Sequence, residues 1–172
     1  MLKILQVAIT QIGVQEDKAH TNHGEAIKYQ EAAGLGSSGG YPWCQSYVFY
    51  CGKIAYGKLN PIPRVGGVMN CLDVATKEGY KIIHQAEATP QNVSIGSQFI
   101  LSEGGSKGHT GIIESIDEDG TLHTIEGNSN SDGSRDGYEV CRQSKRNLKD
   151  KNIIAYICYE YPDSPKDLNP SV

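Results

Sequence analysis

The sequence changes period near residue 80, and this change constrains the fold more than any other feature. Before it, apolar residues recur at three and four. Leu2, Leu5, Ile9 and Ile12 predict an amphipathic helix ending at Gly13, and Gly24 to Ala33 predicts a second, stopped by Gly34. From Cys44 to about Ala55, the positions Tyr47, Val48, Cys51, Ile54 and Ala55 predict a buried helix that Gly57 ends. A fourth is expected over Val68 to Lys77, closed by Gly79. Beyond residue 80 the segments turn short, β-branched and aromatic: Tyr80–His84, Ser97–Leu101, His109–Ile116, Thr121–Gly127, Tyr138–Arg142 and Ile153–Glu160. Glu118-Asp119-Gly120 between two of them reads as a hairpin turn. Helices first and strands second is the layout of an α+β domain with a largely antiparallel sheet. One domain over residues 1–162 is expected, with a mobile tail over 163–172, where two prolines interrupt any pattern.

Composition excludes several classes. A net charge of -4 and the lack of a basic run argue against nucleic acid as a partner. The start, MLKILQVAITQIGV, is broken by Gln6, Thr10 and Gln11, whereas a secretory signal needs an unbroken apolar core of about 7–15 residues. No stretch approaches the ~18 apolar residues of a membrane span, so no membrane insertion is expected. Synthesis in the cytoplasm without a signal peptide is the expectation. The five cysteines form no C-x-x-C pair, which speaks against a zinc ribbon and for reduced thiols.

Cys44 stands apart from the other four. It follows a glycine-rich stretch and Pro42-Trp43, and it opens the third predicted helix. Free backbone N–H groups and the positive end of the helix dipole favour a thiolate there, and the same N–H groups can hold an oxyanion. Cys51, two turns on, reads as core. A cysteine nucleophile needs a base. Of the five histidines, His109 stands best, at the head of an apolar strand fed by the loop Ser102–Gly108. If 109–116 pairs with 121–127, the start of one lies beside the end of the other, which brings His109 next to Glu126 and Asn128. A carboxylate or amide there would fix the imidazole tautomer. Ser38, Tyr41 and Gln30 are candidates to complete an oxyanion hole.

The runs Tyr41-Pro42-Trp43-Cys44-Gln45-Ser46-Tyr47-Val48, Gly108-His109-Thr110-Gly111-Ile112-Ile113 and Ile125-Glu126-Gly127-Asn128 occur in one order. Together they resemble the CHAP family of cysteine, histidine-dependent amidohydrolases/peptidases, within the papain-like NlpC/P60 group. Ile12-Gly13-Val14-Gln15-Glu16 and Ile27-Lys28-Tyr29-Gln30 are similar to stretches ahead of the nucleophile in phage-associated members. The resemblance implies N-terminal helices packed on a five- or six-stranded antiparallel sheet. It implies Cys44 as nucleophile, His109 as base, Glu126 as acidic orienter and Asn128 as its accompanying amide, with no metal and no cofactor. The activity implied is hydrolysis of peptidoglycan amide bonds, as N-acetylmuramoyl-L-alanine amidase or endopeptidase. Two positions depart from the family pattern: Gln45 and Tyr47 stand where a small residue and Phe are usual, which bears on substrate preference. The loop Gln15-Glu16-Asp17-Lys18 lacks the acidic spacing of the calcium-binding lysins.

A bacteriolytic, endolysin-like enzyme acting at the cell wall would then be delivered by a holin or an injection machine, with an immunity protein as a further expected partner. The alternatives are a papain-like cysteine protease or acyltransferase on non-wall amides, and a non-catalytic wall-binding module whose ten tyrosines line a glycan groove. A metal site on His20, His23 and a carboxylate is a more remote idea.

Overall fold

The computed structural model describes residues 1–131 and 137–164. Its elements follow the order read from the sequence. Four α-helices come first: α1 (Lys3–Thr10), α2 (Ile27–Ala33), α3 (Cys44–Tyr56) and α4 (Val68–Lys77). Six strands follow: β1 (Lys81–His84), β2 (Gln98–Gly104), β3 (Lys107–Ile116), β4 (Thr121–Ser129), β5 (Glu139–Asn147) and β6 (Ile153–Cys158). They form one sheet in the order β1-β6-β2-β3-β4-β5, with every neighbouring pair antiparallel. This is the α+β, papain-like architecture expected of the chain. No described helix is long and apolar enough to cross a membrane.

Alternation along the strands builds two cores. Ile100, Ile112, Ile125, Val140 and Ile157 belong to one with the helices, where α3 is buried through Tyr47, Val48 and Cys51. Their chain neighbours Phe99, Ile113 and Tyr156 belong to the other, with Leu122 and the loop residues Ala88, Val93 and Leu148. Both faces of the sheet are therefore covered. Gly34 stops α2 in the left-handed region at φ 90°, as its position suggested.

Two strands run further than the sequence indicated. β2 and β3 stay paired out to Gly104 and Lys107, so most of the expected loop Ser102–Gly108 is the tip of a hairpin. β5 continues past Arg142 to Asn147, because Leu122 pairs with Arg146 and Thr121 with Asn147. As an edge strand, β5 carries a run of polar residues that hides its β character. The segment expected as a mobile tail lies outside the described residues from 165 onward. Its first residue, Asp163, accepts hydrogen bonds from the Lys3 N–H (2.8 Å) and the Tyr56 hydroxyl (2.6 Å).

α3 lies close against β4 at Gly127. A Cβ on Gly127 would stand 2.6 Å from Tyr47 Cβ and 2.8 Å from Trp43 Cζ3, both fixed by full burial. Gly127→Ala is expected to destabilise the fold by about 2 kcal/mol through overpacking. In a thermal melt this appears as a fall in Tm of about 4–8 °C.

Candidate active site

The site begins with how the chain enters α3. Trp43 is the N-cap residue and supplies no side-chain hydrogen bond to the first turn. The first-turn N–H groups beginning at Cys44 are thus left without a capping side chain. Trp43 itself is fully buried and stacks on Tyr29 at 5.3 Å, while Tyr47 meets Tyr29 edge-on at 5.5 Å. This aromatic wedge aims the helix start, and with it the Cys44 thiol, into a cleft lined on its other side by His109 and Asn128. Gln45 and Tyr47, the two departures from the family pattern, both turn inward. Gln45 Oε1 accepts from Gln98 Nε2 at 2.5 Å, and the Tyr47 hydroxyl donates to the Ala8 carbonyl at 3.4 Å. Neither side chain touches the cleft.

His109 projects from β3 and donates from Nε2 to Glu126 Oε2 at 2.7 Å. That leaves Nδ1 turned from the carboxylate, with Cys44 lining the same cleft as the ring. Burial alone would push the His109 imidazole down. Hydrogen bonding to Cys44 and Glu126, with the charge of both, outweighs it and pushes the imidazole up to about 10.

Glu126 has no exposed surface. Its carboxylate accepts five hydrogen bonds. Arg146 forks onto it from Nε to Oε1 at 2.6 Å and from Nη2 to Oε2 at 2.8 Å. The Thr124 hydroxyl donates to Oε1 at 2.6 Å, the Ser129 hydroxyl to Oε2 at 3.3 Å, and His109 completes the set. Burial pushes the carboxyl up, but Arg146 and His109 win and hold it well below the usual carboxylate range. A carboxylate in this position stays ionised and fixes the imidazole tautomer.

The structure therefore brings Cys44, His109 and Glu126 together. Asn128 lies on the cleft wall with a left-handed backbone, φ 53°, and no hydrogen bond joins it to His109. Of the oxyanion candidates, Gln30 is occupied elsewhere: its Nε2 donates to the Asn22 carbonyl at 2.6 Å and its Oε1 accepts the Tyr41 N–H at 3.3 Å. It braces the approach loop instead. Tyr41 lines the cleft, 45% exposed, and Ser38 is exposed away from the lining residues. Among the described residues no group of three His, Cys, Asp or Glu could hold a metal ion. His20 stacks on Tyr138 at 4.5 Å, and His23 Nδ1 meets the Thr21 carbonyl at 2.7 Å. All five cysteines are free and buried.

Sequence reasoning missed Arg146, Thr124 and Ser129 as partners of Glu126. The signal for Thr124 was present, since it shares the strand face of Glu126. Arg146 was hidden by ending β5 too early, and Ser129 by a bulge between Glu126 and Ser129 that brings it round to the carboxylate.

The CHAP domain family matches residues 36–128, a stretch that opens on the approach loop and closes on Asn128. It contains Cys44, His109, Glu126 and Asn128 and stops short of Arg146. No curated protein matches the chain.

The raised His109 value has a sign in stability. The folded protein holds this proton more tightly than the unfolded chain, so the stabilisation is whole below about pH 6.5 and is lost as pH rises through about 10. Thermal melts from pH 6.5 to 10 are expected to show a fall in Tm that is smaller in Glu126→Gln. Equal slopes in the two proteins would show that Glu126 does not hold the imidazole proton.

Proposed function

The chain belongs to the CHAP domain family, and from that premise we propose that it is a peptidoglycan hydrolase that cuts wall peptide amide bonds through a Cys44 acyl-enzyme. CHAP domains are typically hydrolases with amidase or peptidase chemistry. The observation that carries the finer reading is the His109 imidazole, hydrogen-bonded to a buried, ionised Glu126 in a cleft that Cys44 also lines.

In the proposed reaction, His109 takes the Cys44 proton through Nδ1 and the thiolate attacks the amide carbonyl. Backbone N–H groups of the first turn of α3 receive the developing oxyanion. The imidazolium then donates its proton to the leaving amine as the tetrahedral adduct collapses to a thioester. Water enters, gives a proton to the same imidazole and attacks the thioester carbonyl, releasing the carboxylic acid and restoring the thiol. Glu126 holds the ring and its charge throughout. Tyr41, exposed on the cleft wall beside Cys44, supplies a surface for substrate.

The same reading puts the site of action at the bacterial cell wall, in phage-type lysis or as an interbacterial toxin. Release through a holin or by an injection machine would bring the enzyme there from the cytoplasm, and an immunity protein would protect a toxin's producer.

Labelled peptidoglycan incubated with the wild type and with Cys44→Ala tests this proposal, with mass spectrometry of the products. The wild type is expected to release fragments, and the variant to fall at least about a thousandfold, as for loss of a covalent nucleophile. Free lactyl ends on muramic acid would identify an amidase, and cut stem or bridge peptides an endopeptidase. Equal inertness of both proteins on several wall types would sink the wall-hydrolase reading and leave non-wall amides or wall binding as the function.

A further inference from the structure

Arg146 lies on the edge strand β5, beyond the stretch that the CHAP family match covers. Its guanidinium nonetheless reaches both oxygens of a fully buried carboxylate, at 2.6 and 2.8 Å. It lies 4.8 Å above the Phe99 ring, and that ring packs 6.1 Å from the His109 imidazole. Arg146 is thus fixed on one side by the carboxylate it pairs with and on the other by the ring that also supports His109.

A thiolate–imidazolium pair beside an ionised Glu126 holds two negative charges and one positive. Confined in a cleft wall from which Glu126 has no contact with water, that cluster would be one charge out of balance. Such an imbalance is relieved by taking up a proton, which re-forms the thiol or neutralises Glu126. Thr124 and Ser129 donate hydrogen bonds but bring no charge. We infer that Arg146 is a positioning residue that supplies the second positive charge of a balanced four-charge site, so that thiolate, imidazolium and carboxylate coexist. This rests on the Cys44–His109 pairing put forward above.

Other ionisable groups face the same region. Glu103 and Lys107 at the β2–β3 tip, with His20 from the loop before α2, line the cleft, where water screens them, and Glu16, also on the cleft wall, is half-buried, which pushes its carboxyl up. Lys145 and Asp150, of opposite charge, line one pocket with His109 and Arg146, and Cys141 lies near Arg146. None of these makes a hydrogen bond to Glu126 or His109, whereas Arg146 makes two to Glu126. The forked contact therefore singles out Arg146 as the balancing charge.

The experiment reads the thiolate directly, without a wall substrate. The full chain is treated with iodoacetamide across a range of pH, and the alkylation rate at Cys44 is followed by mass spectrometry. In Arg146→Met the site gains a net negative charge, so the rise in Cys44 reactivity should move to higher pH by about one unit or more. In Glu126→Gln the site gains a net positive charge, and the rise should move to lower pH. The double variant, with both charges gone, should return close to the wild type. Arg146→Lys, which keeps the charge and loses the fork, should stay nearer the wild type than Arg146→Met does.

A merely structural arginine would not give shifts of opposite sign that cancel. Superimposable profiles for Arg146→Met and the wild type overturn the proposal, as do single variants that shift in the same direction. Should Arg146→Met alone fail to fold by circular dichroism, Glu126→Gln against the double variant makes the same test. Removing the arginine must then move the profile back up, and no movement overturns the idea. His109→Ala separates the two layers of argument. If Cys44 alkylates as fast in that variant as in the wild type, the thiol–imidazole pairing itself fails, and the proposal falls with it.

Discussion

A carboxylate with no water around it must find its solvation in the protein, and Glu126 finds it in three strands. His109 comes from β3, Thr124 and Ser129 from its own strand β4, and Arg146 from β5. An ionised group buried without such partners would cost several kcal/mol, so these contacts restrict how the strands can pair. A slip of β3 against β4 would carry His109 to the opposite face, and a shortened β5 would leave the carboxylate without its counter-ion. The bulge between Glu126 and Ser129 has a reason in the same demand, because an uninterrupted ladder would leave Ser129 on the wrong face.

The helix side of the site depends on a different force. No capping side chain fixes the start of α3: its N-cap residue is a tryptophan with no capping bond. Position comes instead from burial of Trp43 between Tyr29 and Gly127, where only a glycine lets the helix come so close to β4. Apolar packing thus sets where the thiol is, and a polar network sets where the imidazole is. The two meet at the cleft, and Gly127 lies one residue from Glu126 in the chain, which couples them.

The fold was legible in the sequence because its two halves differ in period. The helix over Val68–Lys77 emerges with the bounds its apolar spacing gave, and Cys44 opens α3 where the Pro-Trp pair indicated. The meeting of His109 with Glu126 followed from one hairpin register, since Ile112 does pair with Ile125. What stayed hidden depends on longer-range pairing. Gln143 to Asn147 is wholly polar and lay beyond the segment read as a strand, and it continues β5 because β4 provides its partner. Gln30 read as a candidate for the oxyanion hole, and Gln45 as a departure bearing on substrate preference. Each has its amide drawn to another element, one to the approach loop and one to β2. Asn128, read as the amide accompanying Glu126, lies on the cleft wall, while Glu126 holds the Nε2 of the ring.

The direction of proton flow in the proposed reaction also follows from this arrangement. Of the three groups in line, the outer two differ sharply in surroundings. Cys44 faces the cleft, where substrate arrives, and Glu126 faces the interior, where Arg146 already stabilises its charge. A carboxylate held well below its usual range is a poor proton acceptor, so a proton taken from Cys44 stops at the imidazole and does not pass on to Glu126. It is then still beside the scissile bond when the amine leaves and needs it. Had Glu126 been exposed or unpaired with arginine, it would compete for that proton. The interior pairing thus keeps the imidazolium available as the acid of the second half of the reaction.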